Sequence, residues 1–327
     1  MTGAGTGQDM RRDHGGGVDD AAARWGGDRG DWIDLSTGIN PQPYPLPQLA
    51  PDIWTALPDA GLTRSCIAAA RRFWSVPQAA AILPVPGLSA AIARMPALTD
   101  APAVAIPGPT YNEHAAAFRT AGRTVLAQPG ALAPAQVVVH PNNPDGRRSD
   151  AGSVLAAHSR LTVIDESFCD TCPDDSLTGL ADRPGIVVLK SFGKFWGLAG
   201  LRLGFVIGLP QTLAALADLL GPWPVSGPAL AIGAAALDDA AWARATRARL
   251  DRDARRLDAL ALAAGARSVG GTTLFRLYEV GDAPAWQDRL ARRRIWSRAF
   301  PYAPGWLRLG LPPGDGWDRL ETALSGR

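Results

Sequence analysis

The sequence predicts an α/β fold: a large domain with a mainly parallel sheet and helices on both faces, followed by a smaller α+β domain. Three observations carry that expectation. Short runs rich in Val, Ile and Leu recur through the first two thirds of the chain ("AAILPV", "APAVAIPG", "AQVVVHP", "RLTVIDES", "GIVVLKS", "LRLGFVIG"), as expected of strands covered on both faces. Stretches with helical spacing lie between them, the alternation that builds a parallel sheet. After Pro222 the texture changes to one long helical region and then isolated strands. The expected organisation is an N-terminal arm over 1–30, a large domain over 31–222 and a small domain over 223–327.

Taken in order, the arm is polar and glycine-rich and is expected to be poorly ordered. Its "GAGTG" has no strand before it and the wrong spacing for a nucleotide-binding turn. "WIDLSTGINPQPYPLP" reads as a short strand entering an extended segment whose prolines exclude helix. "LTRSCIAAARRFW" has helical spacing, and "AAILPVPGLSAAIARMPAL" runs from a strand through a Pro-Gly turn into a helix. The remaining apolar runs of the large domain end in turn residues. In the small domain, helix over "PALAIGAAALDDAAWARATRARLDRDARRLDALALAAGA" is interrupted at most once. The strand "GTTLFRLYEV", a helix through "WQDRLARRR" and the strand-like "GWLRLGLP" follow, and the arm is expected to join this domain.

Composition removes several function classes. The chain of 327 residues is 46% hydrophobic and 20% charged, which is globular and not disordered. Lys and Arg number 33 against 31 Asp and Glu, a net charge of +2. Nothing in that balance points to nucleic acid or an anionic membrane. The first thirty residues lack the apolar core of a signal peptide, and later apolar runs are broken short of a membrane span. The expectation is a soluble, cytoplasmic protein. Cys66, Cys169 and Cys172 form no disulfide framework, and "CDTC" has no second ligand pair for zinc. Incidental cysteines beside a strand end are the expected reading, with no metal.

The chemistry collects at strand ends. "SFGKFWGLAGLRLGF" places Lys194 among glycines and large apolar residues just past the strand "GIVVLK". Burying an ammonium there is expensive unless its charge is removed or paired, and a Schiff base is one way to remove it. Asn143 follows "VVV" and Asp165 closes "LTVID". An amide, a carboxylate and an amine at three strand ends suit pyridoxal 5'-phosphate. The lysine binds its aldehyde, the carboxylate keeps the pyridine nitrogen protonated, and the amide reaches the phenolic oxygen. Phosphate needs backbone N–H groups at a helix start, which "PGLSAA" offers, with a hydroxyl and a guanidinium such as Ser191 and Arg202.

Those motifs resemble the fold-type I pyridoxal phosphate enzymes of the class I/II aminotransferase group, from about Trp32 to Leu311. The resemblance implies that Lys194 carries the cofactor, Asp165 pairs with the pyridinium and Asn143 contacts the phenolic oxygen. The Leu88 and Ser89 amides, Ser191 and Arg202 would hold the phosphate. Tyr111, in "PTYNEH", would stack on the ring and join Lys194 and Asp165 as catalytic, while Arg308 would grip the substrate's carboxylate. Within the group the likeness is to two branches, histidinol-phosphate aminotransferase and the threonine-phosphate decarboxylase of cobalamin biosynthesis. "DLSTGINPQPYP", "DHGGG" and "WLRLGLP" favour the second, with Gly38, Asn40 and His14 on a phosphorylated amino-acid substrate. Decarboxylation of L-threonine O-3-phosphate is the expected activity, with a non-catalytic cofactor-binding protein kept as the reading from another class.

The sequence departs from the aminotransferase pattern twice. Phe168 stands where a tyrosine usually meets the phenolic oxygen. Leu57 stands where a tyrosine usually reaches a neighbouring subunit's cofactor. The resemblance also implies a homodimer, with which eleven tryptophans are compatible. Of Arg292, Arg293, Arg294 and Arg298, any one could serve a substrate phosphate; the sequence does not choose.

Overall fold

The computed structural model describes residues 14–326. The glycine run "GAGTG" and Asp13 lie outside the described residues. The strands are β1 (Ile33–Asp34), β2 (Ala81–Val85), β3 (Ala103–Ala105), β4 (Thr124–Leu126), β5 (Ala135–Val139), β6 (Leu161–Asp165), β7 (Ile186–Ser191), β8 (Gly204–Gly208), β9 (Arg267–Thr272), β10 (Phe275–Glu279), β11 (Ile295–Trp296), β12 (Arg298–Phe300) and β13 (Ala303–Gly310). Seven of them form the central sheet in the order β2-β8-β7-β6-β5-β3-β4. Its strands are parallel except β8, which runs antiparallel to both β2 and β7.

The apolar runs behave as their composition demands. In β7 Val187 and Leu189 enter one core layer, while Ile186 and Val188 enter the other, the period-two alternation of a strand covered on both sides. Lys190 shares the second face. Helices Asn112–Thr120 and Pro210–Leu220 cover the first layer; Ala60–Phe73 and Gly227–Asp238 cover the second.

The other sheet is antiparallel, in the order β12-β13-β10-β9. The long helical region before it breaks once, at Asp239, whose side chain accepts from Trp242 N and so caps helix Ala240–Ala263.

The arm corrects one expectation. From His14 onward it is ordered, with a helix over Val18–Trp25. Val18, Ala21 and Trp32 pack on Ala291, and Trp296 Nε1 donates to Gly16 O at 2.8 Å. β1 pairs in parallel with β11, so the chain's beginning is tied to the small antiparallel part. Burial of these apolar side chains explains the order that polar, glycine-rich composition hides. Among the described residues no helix is long and apolar enough to cross a membrane.

Candidate active site

Register brings three strand ends to one edge. Val139 of β5 stands beside Asp165 of β6, which stands beside Leu189 of β7. Asn143 and Lys194 therefore emerge from the loops that flank Asp165, at the carboxyl ends of parallel strands where such sheets place ligands.

The Lys194 loop is held by aromatic burial. Phe192, Phe195 and Trp196 are wholly buried, and Phe192 stacks on Trp196. Asn40 N and Gly197 N both donate to Lys194 O, at 3.0 and 3.1 Å. The backbone is thus fixed while the side chain, half-buried, lines a cavity with its amine 5.6 Å from the Phe168 ring centre. Burial pushes that amine down to about 8; Arg308 and Arg202 add to the fall, and Asp165 opposes it.

Asp165 is buried and held at both oxygens. His114 Nε2 lies 2.8 Å from Oδ2, while Ser167 donates to Oδ1 from its N–H at 2.9 Å and its hydroxyl at 2.5 Å. Burial alone would raise this carboxyl, but the His114 and Ser167 contacts outweigh it and keep it below its usual range. It is a fixed anion. Asn143 accepts from Arg308 Nη1 through its Oδ1, and Arg308 Nη2 donates to Ser36 O at 2.5 Å. The guanidinium is buried over the Phe275 ring and oriented by two acceptors.

Two cavities meet here. The inner one, of about 130 Å³, is lined by Leu88, Ser89, Asp165, Ser191 and Arg202 among others. Gly87 has φ +78 and faces Arg202 so closely that a Cβ would fall 2.6 Å from Nη2. A glycine lets the guanidinium sit against the start of helix Leu88–Ile92. Helix amides, two serines and an arginine form a cradle for an oxyanion.

The outer cavity, about 310 Å³, is lined by His14, Gly38, Asn143, Lys194, Arg298 and Arg308 among others. Tyr111, Asn143, Phe168 and Lys194 line both cavities. The arm roofs the outer one. His14 Nε2 lies 2.9 Å from Glu113 Oε1, with its ring 6.0 Å from that of Tyr111. Gly15 crosses Ser36 so tightly that a Cβ would stand 2.4 Å from Ser36 O.

Most of the residues named from the sequence converge on these two cavities: Leu88, Ser89, Tyr111, Asn143, Asp165, Ser191, Lys194 and Arg202 around the inner one, His14, Gly38 and Arg308 in the outer one. Asn40 is a correction. It lines neither cavity: it donates to Phe195 O at 2.9 Å and accepts from Arg249 Nη2 at 2.6 Å, which makes it a brace under the Lys194 loop. Leu57 also stands apart, 65% exposed on the outside of the protein. Of the four arginines left open by the sequence, Arg298 is the one that lines a site cavity. Arg292 stacks on Trp25 and Arg294 pairs with Asp31, while Arg298 lines the outer cavity.

Sequence reasoning missed His114 and Ser167. His114 is three residues past Tyr111 at the start of helix Asn112–Thr120, and that one-turn spacing was the available signal. Ser167 is two residues past Asp165, within reach of an Asx-type turn.

The comparisons with known proteins agree with this geometry. Residues 31–316 match the aminotransferase class I and II family. A threonine-phosphate decarboxylase from Sinorhizobium sp is 44% identical, over 95% of this chain and 97% of that protein. Another from Pseudomonas aeruginosa is 41% identical, over 96% and 97%. Among solved structures, histidinol-phosphate aminotransferase from Sinorhizobium meliloti in complex with pyridoxal-5'-phosphate superposes with a TM-score of 0.79 at 20% identity, covering 95% of this chain and 94% of that one.

Proposed function

The chain belongs to the class I and II aminotransferase family, and from that premise we propose that it is a pyridoxal phosphate-dependent decarboxylase of L-threonine O-3-phosphate. The observation that carries the reading is the outer cavity, which Arg308, Arg298 and Lys194 line together. Two guanidiniums beside one amine fit an amino acid with two anionic ends, a carboxylate and a phosphate. The two threonine-phosphate decarboxylases, similar over nearly the full length of both chains, support it.

The inner cavity fits the cofactor. Its oxyanion cradle suits the phosphate, the fixed Asp165 anion suits a protonated pyridine nitrogen, and Tyr111 offers a ring face. Bound pyridoxal phosphate supplies an electron sink that accepts the pair left when a bond to the substrate's α-carbon breaks. This chain's own residues do the rest. Lys194, whose amine is lowered to about 8, would hold the cofactor through its aldehyde and could carry a proton at Nζ. Arg308, oriented by Asn143 and Ser36, binds and points the carboxylate that leaves as carbon dioxide. Arg298 and His14 hold the far phosphate, and the arm excludes water from above. Asp165, kept charged by His114 and Ser167, stabilises positive charge at the sink throughout. The product is 1-amino-2-propanol O-phosphate.

Supplying the cofactor-loaded protein with L-threonine O-3-phosphate and following carbon dioxide tests the reading. Release that depends on Lys194 is expected. Amino transfer from histidinol phosphate to 2-oxoglutarate, with no carbon dioxide from the first substrate, would instead favour the aminotransferase branch.

A second copy of the chain is the natural partner. Trp54, Leu57 and Trp223 are 67%, 65% and 58% exposed, and Ile53 packs against Gly227 at the start of the helix that follows Trp223. Such an apolar group calls for cover, and sedimentation of the protein as a monomer would remove that reading. Three free thiols accord with work in the cytoplasm.

A further inference from the structure

Cys169 and Cys172 take no part in the chemistry above, and the fold brings them together. Cys172 N donates to Cys169 O at 2.8 Å. That turn keeps the two Cα atoms within about 7 Å, and a disulfide spans roughly 4.4 to 6.8 Å. The Cys169 thiol donates to Cys172 O at 3.7 Å, which closes the turn on the side-chain side as well. Cys169 is wholly buried, whereas Cys172 is half-buried. A cavity of about 360 Å³ lies beside the turn, lined by Cys169, Ser176, Thr178 and Lys190 and sharing no residue with the two site cavities.

The two sulfurs are unequal. The hydrogen bond from Cys169 holds the Cys172 thiol below its ordinary range; burial opposes this, and Arg148 and Thr171 reinforce it. The same pairing, with burial and the nearby Glu166 carboxylate, pushes Cys169 upward. A half-buried, more acidic thiol beside a wholly buried partner is the arrangement of an attacking and a resolving cysteine.

A metal is the competing use, since donor atoms of His140, Glu166 and Cys169 lie within 4.8 Å of one another. His140 is engaged at both nitrogens, accepting from Ser149 N at 3.0 Å and facing Asp175 O at 2.8 Å. Glu166 is engaged by Lys190, Ser176 and Leu177. The sulfur pair has the simpler chemistry.

We propose that Cys169 and Cys172 form a reversible thiol–disulfide site that reacts with low-molecular-weight disulfides. The Cys172 thiolate attacks one sulfur of the small disulfide, whose other sulfur leaves as a thiolate, giving a mixed disulfide on Cys172. Cys169 then attacks the Cys172 sulfur, its proton passing to the second small thiolate as that group leaves. The protein is oxidised by two electrons, the small disulfide is reduced to two thiols, and an external dithiol reverses both steps. The closed turn adjoins Phe168, which lines both site cavities.

The test treats the folded, cofactor-loaded protein with oxidised glutathione, quenches with acid, and maps the cysteines by mass spectrometry. Expected are loss of two hydrogens from the peptide holding Cys169 and Cys172, reversal by dithiothreitol, and reaction at least about tenfold faster than at Cys66. Cys66 is the internal control, because burial pushes its thiol up to about 12. Cys169→Ser should accumulate glutathione on Cys172, and Cys172→Ser should take up none at this turn. Modification no faster than at Cys66, or wild-type protein that stops at the mixed disulfide, would overturn the proposal. If either variant misfolds, the wild-type time course decides alone.

Discussion

Lys190 and Lys194 stand four residues apart at the end of β7, and the fold treats them in opposite ways. Lys190 is 1% exposed, although a cavity outside the site lies beside it. It is paired with Glu166 and 3.3 Å from Ser176 Oγ, with the Trp74 ring 5.6 Å away. Burial pulls its amine down, but Glu166 and Asp170 outweigh that and hold it above its ordinary range. Lys194 keeps surface toward a cavity, and its nearby charges include two arginines, so nothing reverses the downward pull. Desolvation is common to both; the sign of the neighbours decides. A buried amine among anions braces a structure, and one among cations is ready to react.

Breaking each lysine in turn tests that contrast, and the largest effect belongs to Lys194. Lys194→Ala should lower turnover by about a thousandfold or more, since it removes both nucleophile and proton carrier. Its thermal unfolding near pH 7 should be no lower than wild type, because no ion pair is lost and an amine held below its ordinary range is removed. Steady-state carbon dioxide release and a melting curve on the same preparation check both halves. Near-normal turnover would end the assignment.

Lys190→Ala should do the reverse. Leaving Glu166 buried without its cation costs about 3–5 kcal/mol, seen as a lower denaturation midpoint, while turnover per folded molecule stays within a few-fold of wild type. Replacing both partners, Lys190→Met with Glu166→Leu, should recover much of the loss, because two apolar side chains remove the desolvation penalty. A double variant as unstable as the single one would show that Ser176 and Asp170, not Glu166, make Lys190 a brace.

This contrast was half legible in the sequence. Strand-end chemistry sits within a few residues of an apolar run, so Asn143, Asp165 and Lys194 could be placed by local pattern. Lys190 could be read too, since period two puts it on the face of Ile186 and Val188. Contacts between distant segments could not be read. Gly38 and Asn40 are two residues apart in one extended segment, yet one lines the cavity and the other meets Arg249. Nothing local distinguishes them. Arg298 was indistinguishable from its neighbours until the pairing of β12 with β13 set it opposite Arg308. The arm looked unstructured because its partners, Ala291 and Trp296, lie far along the chain.

That cross-strand pair sets the next expected effect. Arg298→Ala should raise KM for L-threonine O-3-phosphate by about ten- to a hundredfold, the size of one or two charge-assisted hydrogen bonds. An unphosphorylated amino acid should show no such change, because Arg308 still holds its carboxylate. Equal losses on both substrates would move the phosphate elsewhere in the cavity.

The smallest effect separates the two lysines without removing either. Cofactor capture by the apoprotein requires the uncharged Lys194 amine. Its rate should therefore rise about tenfold per pH unit below about 8 and level off above it. The folded value lies below the 10.5 of an unperturbed lysine, so the unfolded chain binds the extra proton, and Lys194's contribution makes the apoprotein more stable as pH climbs from about 8 toward 10.5. Lys190 has the opposite sign: its folded value is raised, so its contribution is complete below 10.5 and fades as pH rises through that higher value. Arg308→Met removes one of the cations that depress Lys194 and should move the capture profile to higher pH, with Lys190 unaffected. Stopped-flow absorbance of cofactor uptake reads the shift directly. A profile that stays in place without Arg308 would leave burial and Arg202 as the only causes of the lowered amine.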